Sequence, residues 1–372
     1  MIDSTLFLEE LLNTGLNHFS GVPDSTFKSF MSLLEVDDDR FSNRIASNEG
    51  AAIAHASGYY LATNKISVVY FQNSGLGNAV NPLTSLADNE VYGIPMIILM
   101  GWRGHPDIKD EPQHKKMGAV STKVLDALGI PYQILVEENY IQQIQEAKLI
   151  SQKNLEPYVL IIKPNLFEDN KSIRIKNSSI GVIREKAIEI IVNSIPSNSI
   201  IVSTTGKTSR ELYEISSNNV RGHANNFYNV GSMGHASAIG LDIAIHENNE
   251  VFVLDGDGAM IMHMGTLATI GDSCPNNLTH IIFDNCAHES TGAQPTVSGT
   301  INIPLLLEAC GYKKVNYVKS LSNLKATLSE KNNVLSGIVV ETQTGSRKDL
   351  GRPDDSPKKT KLRFMEKNTN EA

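Results

Sequence analysis

The segment Val251-Phe252-Val253-Leu254-Asp255-Gly256-Asp257-Gly258-Ala259 decides how this chain is read. An apolar run that meets a glycine-bracketed aspartate predicts a strand, a tight turn and then a helix, the geometry of a ligand site at a strand's C-terminal end. Gly256 and Gly258 let the backbone come close to a ligand, and the amides from Ala259 onward can face phosphate oxygens. Asp257 offers a hard anionic oxygen suited to magnesium or calcium. A Gly-Asp-Gly triplet alone is more often a plain turn. A second run, His280–Asp284, strengthens it by ending in Asn285-Cys286-Ala287. The stretch from Asp257 to Asn285 holds one helix and one return strand, and such a crossover sets the two residues at neighbouring strand ends. An Asp carboxylate, an Asn carbonyl and a nearby backbone carbonyl then give a divalent ion three oxygen ligands.

Outward from this segment the same alternation recurs. The apolar runs Ser67–Phe71, Met96–Met100, Tyr158–Ile162, Ser199–Ser203 and Gly337–Thr342 are bounded by turn residues. Helix-length stretches lie between them, at Gly50–Ala62, Val182–Asn193 and Met233–His246. Strands that are apolar at consecutive positions are covered on both faces, so the pattern predicts an α/β protein built on doubly wound, mostly parallel sheets. A polar stretch of mixed charge divides the halves. The expected layout is a first domain over 1–165, a linker over 166–180, a second domain over 181–345 and a basic, solvated tail over 346–372. No short-period repeat is visible.

Composition narrows the function classes. The chain has 372 residues, 41% hydrophobic and 20% charged, which is ordinary globular composition and long enough for two domains. Its 41 acidic residues against 33 basic ones argue against nucleic acid as the main partner. An anionic substrate would therefore need basic residues gathered locally. The three cysteines, Cys274, Cys286 and Cys310, have no ligand-type spacing, which points away from zinc or a disulfide framework and towards a reducing cytosol. The N-terminus carries Asp3, Glu9 and Glu10 where a signal peptide would be basic and then apolar. The most apolar run, Ile94–Met100, is far short of the roughly 20 residues a membrane span requires. A soluble, cytoplasmic protein with no membrane partner is expected.

The Gly-Asp-Gly turn followed by a strand ending in asparagine resembles the fingerprint of the thiamine-diphosphate-dependent decarboxylases. Members of that family carry two asparagines there; this chain has Asp284-Asn285 and keeps only the second. The resemblance implies a metal site of Asp257, Asn285 and the carbonyl of Ala287, holding Mg2+ and the diphosphate of thiamine diphosphate, with Gly256, Gly258 and Ala259 against the cofactor. Ser47-Asn48-Glu49-Gly50-Ala51-Ala52 is similar to the family element whose glutamate activates the aminopyrimidine. Glu49 is the implied catalytic acid, a role that requires a carboxyl in apolar surroundings. The alternative is a helix-start carboxylate stabilised by the macrodipole; a capping box would need Ser or Thr where Ala46 stands. Val230-Gly231-Ser232-Met233-Gly234-His235 matches the element that bends the cofactor, which makes Met233 the apolar wedge, Gly231 the carbonyl for the exocyclic amine and Ser232 a cofactor neighbour. Ser203-Thr204-Thr205-Gly206 resembles a further diphosphate turn, with Thr205, Gly206 and Thr208 as contacts.

Three stretches bear on the substrate. Gly21-Val22-Pro23-Asp24-Ser25 closes the first strand, where family members carry a polar active-site residue. Phe71-Gln72-Asn73-Ser74-Gly75-Leu76-Gly77-Asn78 is a glycine-rich turn. Gly101-Trp102-Arg103-Gly104-His105-Pro106 leads on to Lys109 and His114, a region with a local positive excess suited to an anion. With His288-Glu289-Ser290-Thr291-Gly292-Ala293-Gln294-Pro295 and Asp349-Leu350-Gly351-Arg352-Pro353, these runs resemble the phosphonopyruvate decarboxylases, and the sulfopyruvate decarboxylases share much of the pattern.

That resemblance implies non-oxidative decarboxylation of 3-phosphonopyruvate to phosphonoacetaldehyde through an ylide and an enamine, in phosphonate biosynthesis. Ser25, Arg103, His105, Lys109 and Arg352 or Arg347 are the implied substrate contacts. Ser25, Asp24, His105 and His288 are the implied proton-handling groups. It also implies a homodimer or larger homo-oligomer with active sites between subunits, and no middle domain. A sulfopyruvate decarboxylase, a carboligase and a non-catalytic nucleotide-binding regulator are the rivals. The last would be supported by a Gly-x-Gly-x-x-Gly turn after the first strand, which is not there.

Overall fold

A computed structural model describes residues 1–168, 179–330 and 333–366. The chain divides into two compact units, Met1–Ile175 and Lys176–Ala372. The first contains strands β1 (His18–Gly21), β2 (Ser42–Ile45), β3 (Ser67–Gln72), β4 (Met96–Gly101), β5 (Tyr132–Ile134) and β6 (Pro157–Ile162). They form one sheet in the order β2-β1-β3-β4-β6-β5, parallel throughout.

The second unit contains β7 (Ile200–Ser203), β8 (Asn226–Tyr228), β9 (Val251–Gly256) and β10 (Leu278–Asp284). A short antiparallel pair follows, β11 (Ala287–His288) with β12 (Gln294–Pro295), and then β13 (Lys314–Val318) and β14 (Ser336–Glu341). The main sheet runs β13-β14-β10-β9-β7-β8, again all parallel. Counted from its own first strand, each sheet reads 2-1-3-4-6-5. The same topology occurs twice, with no sequence period to announce it.

The parallel arrangement follows from the sequence because the central strands have no polar face to offer water. In the first unit Val68, Tyr70, Ile97, Leu99 and Leu160 pack with Phe7, Leu11 and Ile144 from helices Ser4–Asn13 and Tyr140–Asn154. The intervening residues Val69, Ile98 and Ile161 are equally buried, so both faces are covered. In the second unit Val251, Val253 and Val339 join one core while Phe252, Leu254, Ile338 and Val340 join the other.

Several boundaries differ from expectation. The helix expected from Met233 begins at Ala236, because Ser232 and Gly234 take positive φ and turn the chain before it. Of the expected linker, Phe167 packs in the first core, and just beyond it Val182 bridges Thr342 in the second unit. Residues 169–178 lie outside the described residues, as do 367–372 of the expected tail. The rest of that tail is not simply solvated. It contains the helix Pro357–Glu366, whose Phe364 ring sits 5.8 Å from Phe227 in β8. Arg347 pairs with Glu185, Glu214 and Asp349, which docks the segment and engages the guanidinium that had been a candidate for substrate. Arg352 is exposed. Among the described residues no helix is long and apolar enough to cross a membrane.

Candidate active site

In the first unit the site is assembled at the C-terminal ends of β1, β3 and β4. Glu49 is the first residue of the helix Glu49–Thr63 and is 5% exposed. Asn48, in extended conformation, caps that helix by accepting from Ala51 N at 2.9 Å, so the helix starts without any capping box. Glu49 Oε2 accepts a hydrogen bond from Asn78 Nδ2 at 2.7 Å. Gly75 lies so close that a Cβ there would overlap the Glu49 carboxylate. The turn Phe71–Asn78, read from sequence as facing substrate, thus supplies the cradle of Glu49. The requirement for Gly75 and Asn78 was missed because it depends on a contact between turns far apart in sequence.

Asp24, just beyond β1, is fully buried. Its Oδ1 accepts from Thr26 N at 3.0 Å, Thr26 Oγ1 at 3.2 Å and Gln72 Nε2 at 3.0 Å, while Oδ2 has no hydrogen-bond partner among the described residues. Burial pushes its carboxyl above the usual range, against the pull of Gln72, Thr26 and Arg103. Arg103 grips Asp110 by two bonds, Nε to Oδ2 at 2.8 Å and Nη2 to Oδ1 at 2.6 Å, and its Nη1 donates to Ser25 Oγ at 3.2 Å. Asp110 also accepts from Gly104 N and Glu111 N. It is held below the ordinary carboxylate range despite the cost of burial.

The local positive excess expected here is thus partly paired within the segment. The strongest cation of the segment carries its own counterion, and only the Nη1 side of Arg103 looks towards Ser25. His105 meets Trp102 edge-on at 4.5 Å and accepts from Asp107 N at 3.2 Å. Lys109 is exposed. Asn73 and His114 were not singled out as site residues, yet they belong to this cluster. Asn73 Oδ1 accepts from Arg103 N at 3.1 Å, and burial beside Arg103 lowers the His114 pKa.

In the second unit the parallel register pairs Phe283 with Gly256, so Asp257 and Asp284 emerge side by side at the ends of β9 and β10. Asp257 is 3% exposed. Its Oδ2 accepts from Thr296 Oγ1 at 2.5 Å and Ser298 Oγ at 3.0 Å, and Ser298 Oγ also lies 2.8 Å from Asp284 Oδ1. Burial, with Asp284 nearby, raises Asp257 from 3.8 to about 6. Asn285 Oδ1 accepts from Ala287 N at 3.0 Å, and the Ala287 carbonyl accepts from Glu289 N at 3.0 Å. Each of these carbonyl oxygens keeps a second lone pair for a cation.

No group of three or more His, Cys, Asp or Glu side chains placed to hold a metal ion occurs among the described residues. The donors on offer are carboxylate, amide and backbone oxygens. They suit magnesium, and a cation is what a buried carboxylate next to a second one calls for. Around this turn, His288 lies against Gly258, and burial depresses it to about 4. Thr205 Oγ1 donates to Val230 O at 2.9 Å, which ties the turn after β7 to the segment Gly231–Met233. Gly206 takes φ +90° at the start of the helix Lys207–Ser217. No described atom lies within 4 Å of a Cβ built on Gly206 or Gly256. Met233 is absent from both cores of the unit and is only partly buried.

Two family models match the chain, the N-terminal TPP binding domain of thiamine pyrophosphate enzymes over residues 4–125 and the C-terminal TPP binding domain over 204–340. With two parallel-sheet units, they define the class: a thiamine-diphosphate-dependent enzyme. The chain is 32% identical to the phosphonopyruvate decarboxylase of Streptomyces viridochromogenes and 33% identical to that of Streptomyces hygroscopicus, in each case over 98% of this chain and 94% of the relative. It is 27% identical to the sulfopyruvate decarboxylase of Methanosarcina acetivorans over 84% of both chains. The chain belongs to the family of thiamine-diphosphate-dependent decarboxylases that these relatives represent. It is a carboxy-lyase for a 2-oxo acid of the pyruvate type, which removes the regulator reading.

Proposed function

We propose that the chain decarboxylates 3-phosphonopyruvate to phosphonoacetaldehyde and carbon dioxide, using thiamine diphosphate and Mg2+, as a step in phosphonate synthesis. The observation that carries this reading is its likeness over 98% of its length to two phosphonopyruvate decarboxylases. In the reaction the bond between C1 and C2 breaks, carbon dioxide leaves, and C2 takes up a proton as the aldehyde forms. Thiamine diphosphate supplies, when bound, the nucleophile and electron sink that this bond cleavage needs.

The chain's own residues do the rest. Glu49 shares a proton with the aminopyrimidine from a buried position, with Asn78 fixing one carboxylate oxygen. Asp257, Asn285 and the Ala287 carbonyl hold magnesium; Gly256, Gly258, Ala259, Thr205, Gly206, Gly231, Ser232 and Met233 hold the cofactor. Ser25 and the Nη1 edge of Arg103 receive the acidic end of the substrate, with Lys109 and Arg352 as further cationic contacts. Asp24, His105 and His288 are the candidates for moving the proton to C2. Of these, His288 enters as neutral imidazole at pH 7, since burial holds it near 4. A homodimer or larger homo-oligomer in the cytoplasm completes the proposal.

Sulfopyruvate is the second reading, favoured by the likeness to the Methanosarcina enzyme. A sulfonate carries about one charge fewer than a phosphonate, and Arg103 can meet either. Purified protein with thiamine diphosphate and magnesium is offered phosphonopyruvate, sulfopyruvate and pyruvate separately while carbon dioxide is followed. Highest kcat/KM on phosphonopyruvate is expected. Preference for sulfopyruvate would transfer the assignment to the second reading, and activity on pyruvate alone would remove both.

A further inference from the structure

One buried side-chain network of the second unit has no part in the reaction as described. Arg184, 7% exposed, grips Glu211, 2% exposed, through Nε to Oε2 at 2.8 Å and Nη2 to Oε1 at 2.9 Å. Its remaining Nη1 donates to Glu289 Oε2 at 2.9 Å. Lys207 Nζ stands 3.5 Å from Glu289 Oε1 and donates to Ser346 Oγ at 2.5 Å. The same Glu289 Oε2 also accepts from Asn285 Nδ2 at 3.1 Å. Two cations thus hold one carboxylate, and that carboxylate holds the amide of the residue assigned to magnesium.

An asparagine side chain is nearly symmetric in shape but not in chemistry. Turned one way it shows a metal an oxygen, turned the other way an NH2 that repels it. Asn285 is constrained at both ends by groups that tolerate a single orientation. The Ala287 N–H can only donate, so it must meet Oδ1. Glu289, between Arg184 and Lys207, can only accept, so it must meet Nδ2. The orientation of the amide follows from these partners alone.

We infer that Glu289 is a positioning residue that fixes the amide of Asn285 with its oxygen available to the metal, and that Arg184 and Lys207 serve to hold Glu289 in place. The inference rests on the proposed magnesium site. Glu289 touches neither substrate nor the metal in this role; it acts through Asn285. Outer-shell partners of this kind typically govern metal affinity by about 10- to 100-fold. The neighbouring pair offers an internal control. Glu211 belongs to the same ion network through Arg184, yet among the described residues its side chain bonds to Arg184 and not to Asn285, so removing it tests the network without touching the amide.

The experiment measures the magnesium dependence of thiamine diphosphate binding by calorimetry, together with thermal midpoints, in the full-length protein and in Glu289→Gln, Glu211→Gln and Asn285→Ala. Glu289→Gln replaces an acceptor-only group by one that can face Asn285 with either end, and magnesium affinity is expected to fall by about tenfold or more. Glu211→Gln is expected to lower the thermal midpoint and leave magnesium affinity unchanged. If Glu289→Gln does not fold, Glu289→Asp, which keeps the charge and withdraws the oxygen by one methylene, is read on the same titration with the same expectation. Normal magnesium affinity in the Glu289 variant, with Asn285→Ala weakened, would overturn the positioning role. Equal weakening by Glu211→Gln would overturn it too, by reducing the effect to general support of the fold. Normal affinity in Asn285→Ala would instead sink the magnesium assignment itself.

Discussion

The two units share one strand order and use it in opposite ways. In sheets of this kind the crevice for a ligand lies where the order reverses, between β1 and β3 in the first unit and between β7 and β9 in the second. In the first unit the protein occupies that place itself. Gln72 at the end of β3 donates to Asp24 just beyond β1, and Gly21, Gly75 and Gly101 are pressed against Tyr70, Glu49 and Asp24 so closely that no Cβ would fit. In the second unit the corresponding glycines, Gly206 after β7 and Gly256 at the end of β9, face no described atom within 4 Å. Glycine thus answers two different demands. In one unit it lets protein close on protein around a buried acid, and in the other it leaves open space beside the backbone, as the proposed diphosphate contacts require. Topology alone would not have told these roles apart.

The largest effect should come from the acid that the first unit encloses. Glu49→Gln is expected to lower kcat by about 10³-fold, within the range for a lost proton-transfer group, while the cofactor stays bound. Near-normal turnover with bound cofactor would break the contrast at its root. Asp257→Ala comes next. It should weaken magnesium-dependent cofactor binding by at least the roughly 100-fold that marks the upper range for outer-shell losses, and an unchanged titration would remove the metal from the second unit.

The two kinds of glycine can then be set against each other. Gly75→Ala should destabilise the cofactor-free protein by about 1–3 kcal/mol, as overpacking does, and lower kcat by displacing Glu49. Gly256, at φ −115° and ψ 154°, accepts an alanine without strain. Gly256→Ala should leave the cofactor-free thermal midpoint where it is and weaken cofactor binding only. Similar thermal shifts for both variants would show the distinction to be false.

The smallest effect is a pH dependence. The Asp257 carboxyl is raised from 3.8 to about 6 in the metal-free protein, so the folded state binds its proton more tightly than the unfolded chain does. Its contribution to stability is full below about pH 4 and fades as pH rises through about 6. Magnesium competes with that proton. Below pH 6 its affinity should therefore fall by up to about tenfold per unit, in titrations from pH 5 to 7.5. A flat profile would mean that Asp257 is not the ligand.

What could be read from sequence, and what could not, also follows the architecture. The strands legible as apolar runs are the central ones, such as Met96–Gly101 and Pro157–Ile162, each buried at every position. The four sheet edges, β2, β5, β8 and β13, escaped as runs. Segments such as Ser42-Asn43-Arg44-Ile45 and Asn226-Phe227-Tyr228 lean on one neighbour only and carry the polar residues that edges tolerate. Glu49, Asp257 and Asn285 could be nominated from sequence because each sits in a short contiguous motif. Gly75 and Asn78 against Glu49, Asp110 on Arg103, and Thr296 and Ser298 on Asp257 could not be, since each joins segments that only folding brings together. Arg103 shows what composition leaves out: a count of charges over the segment does not say which carboxylate it grips, and folding gives it Asp110.

The strand pairs described here always join two segments of the same unit. Severing the backbone between Glu168 and Ser179 would consequently cost neither sheet a rung. Each platform's hydrogen-bond ladder is continuous without the peptide link that joins the two halves of the chain.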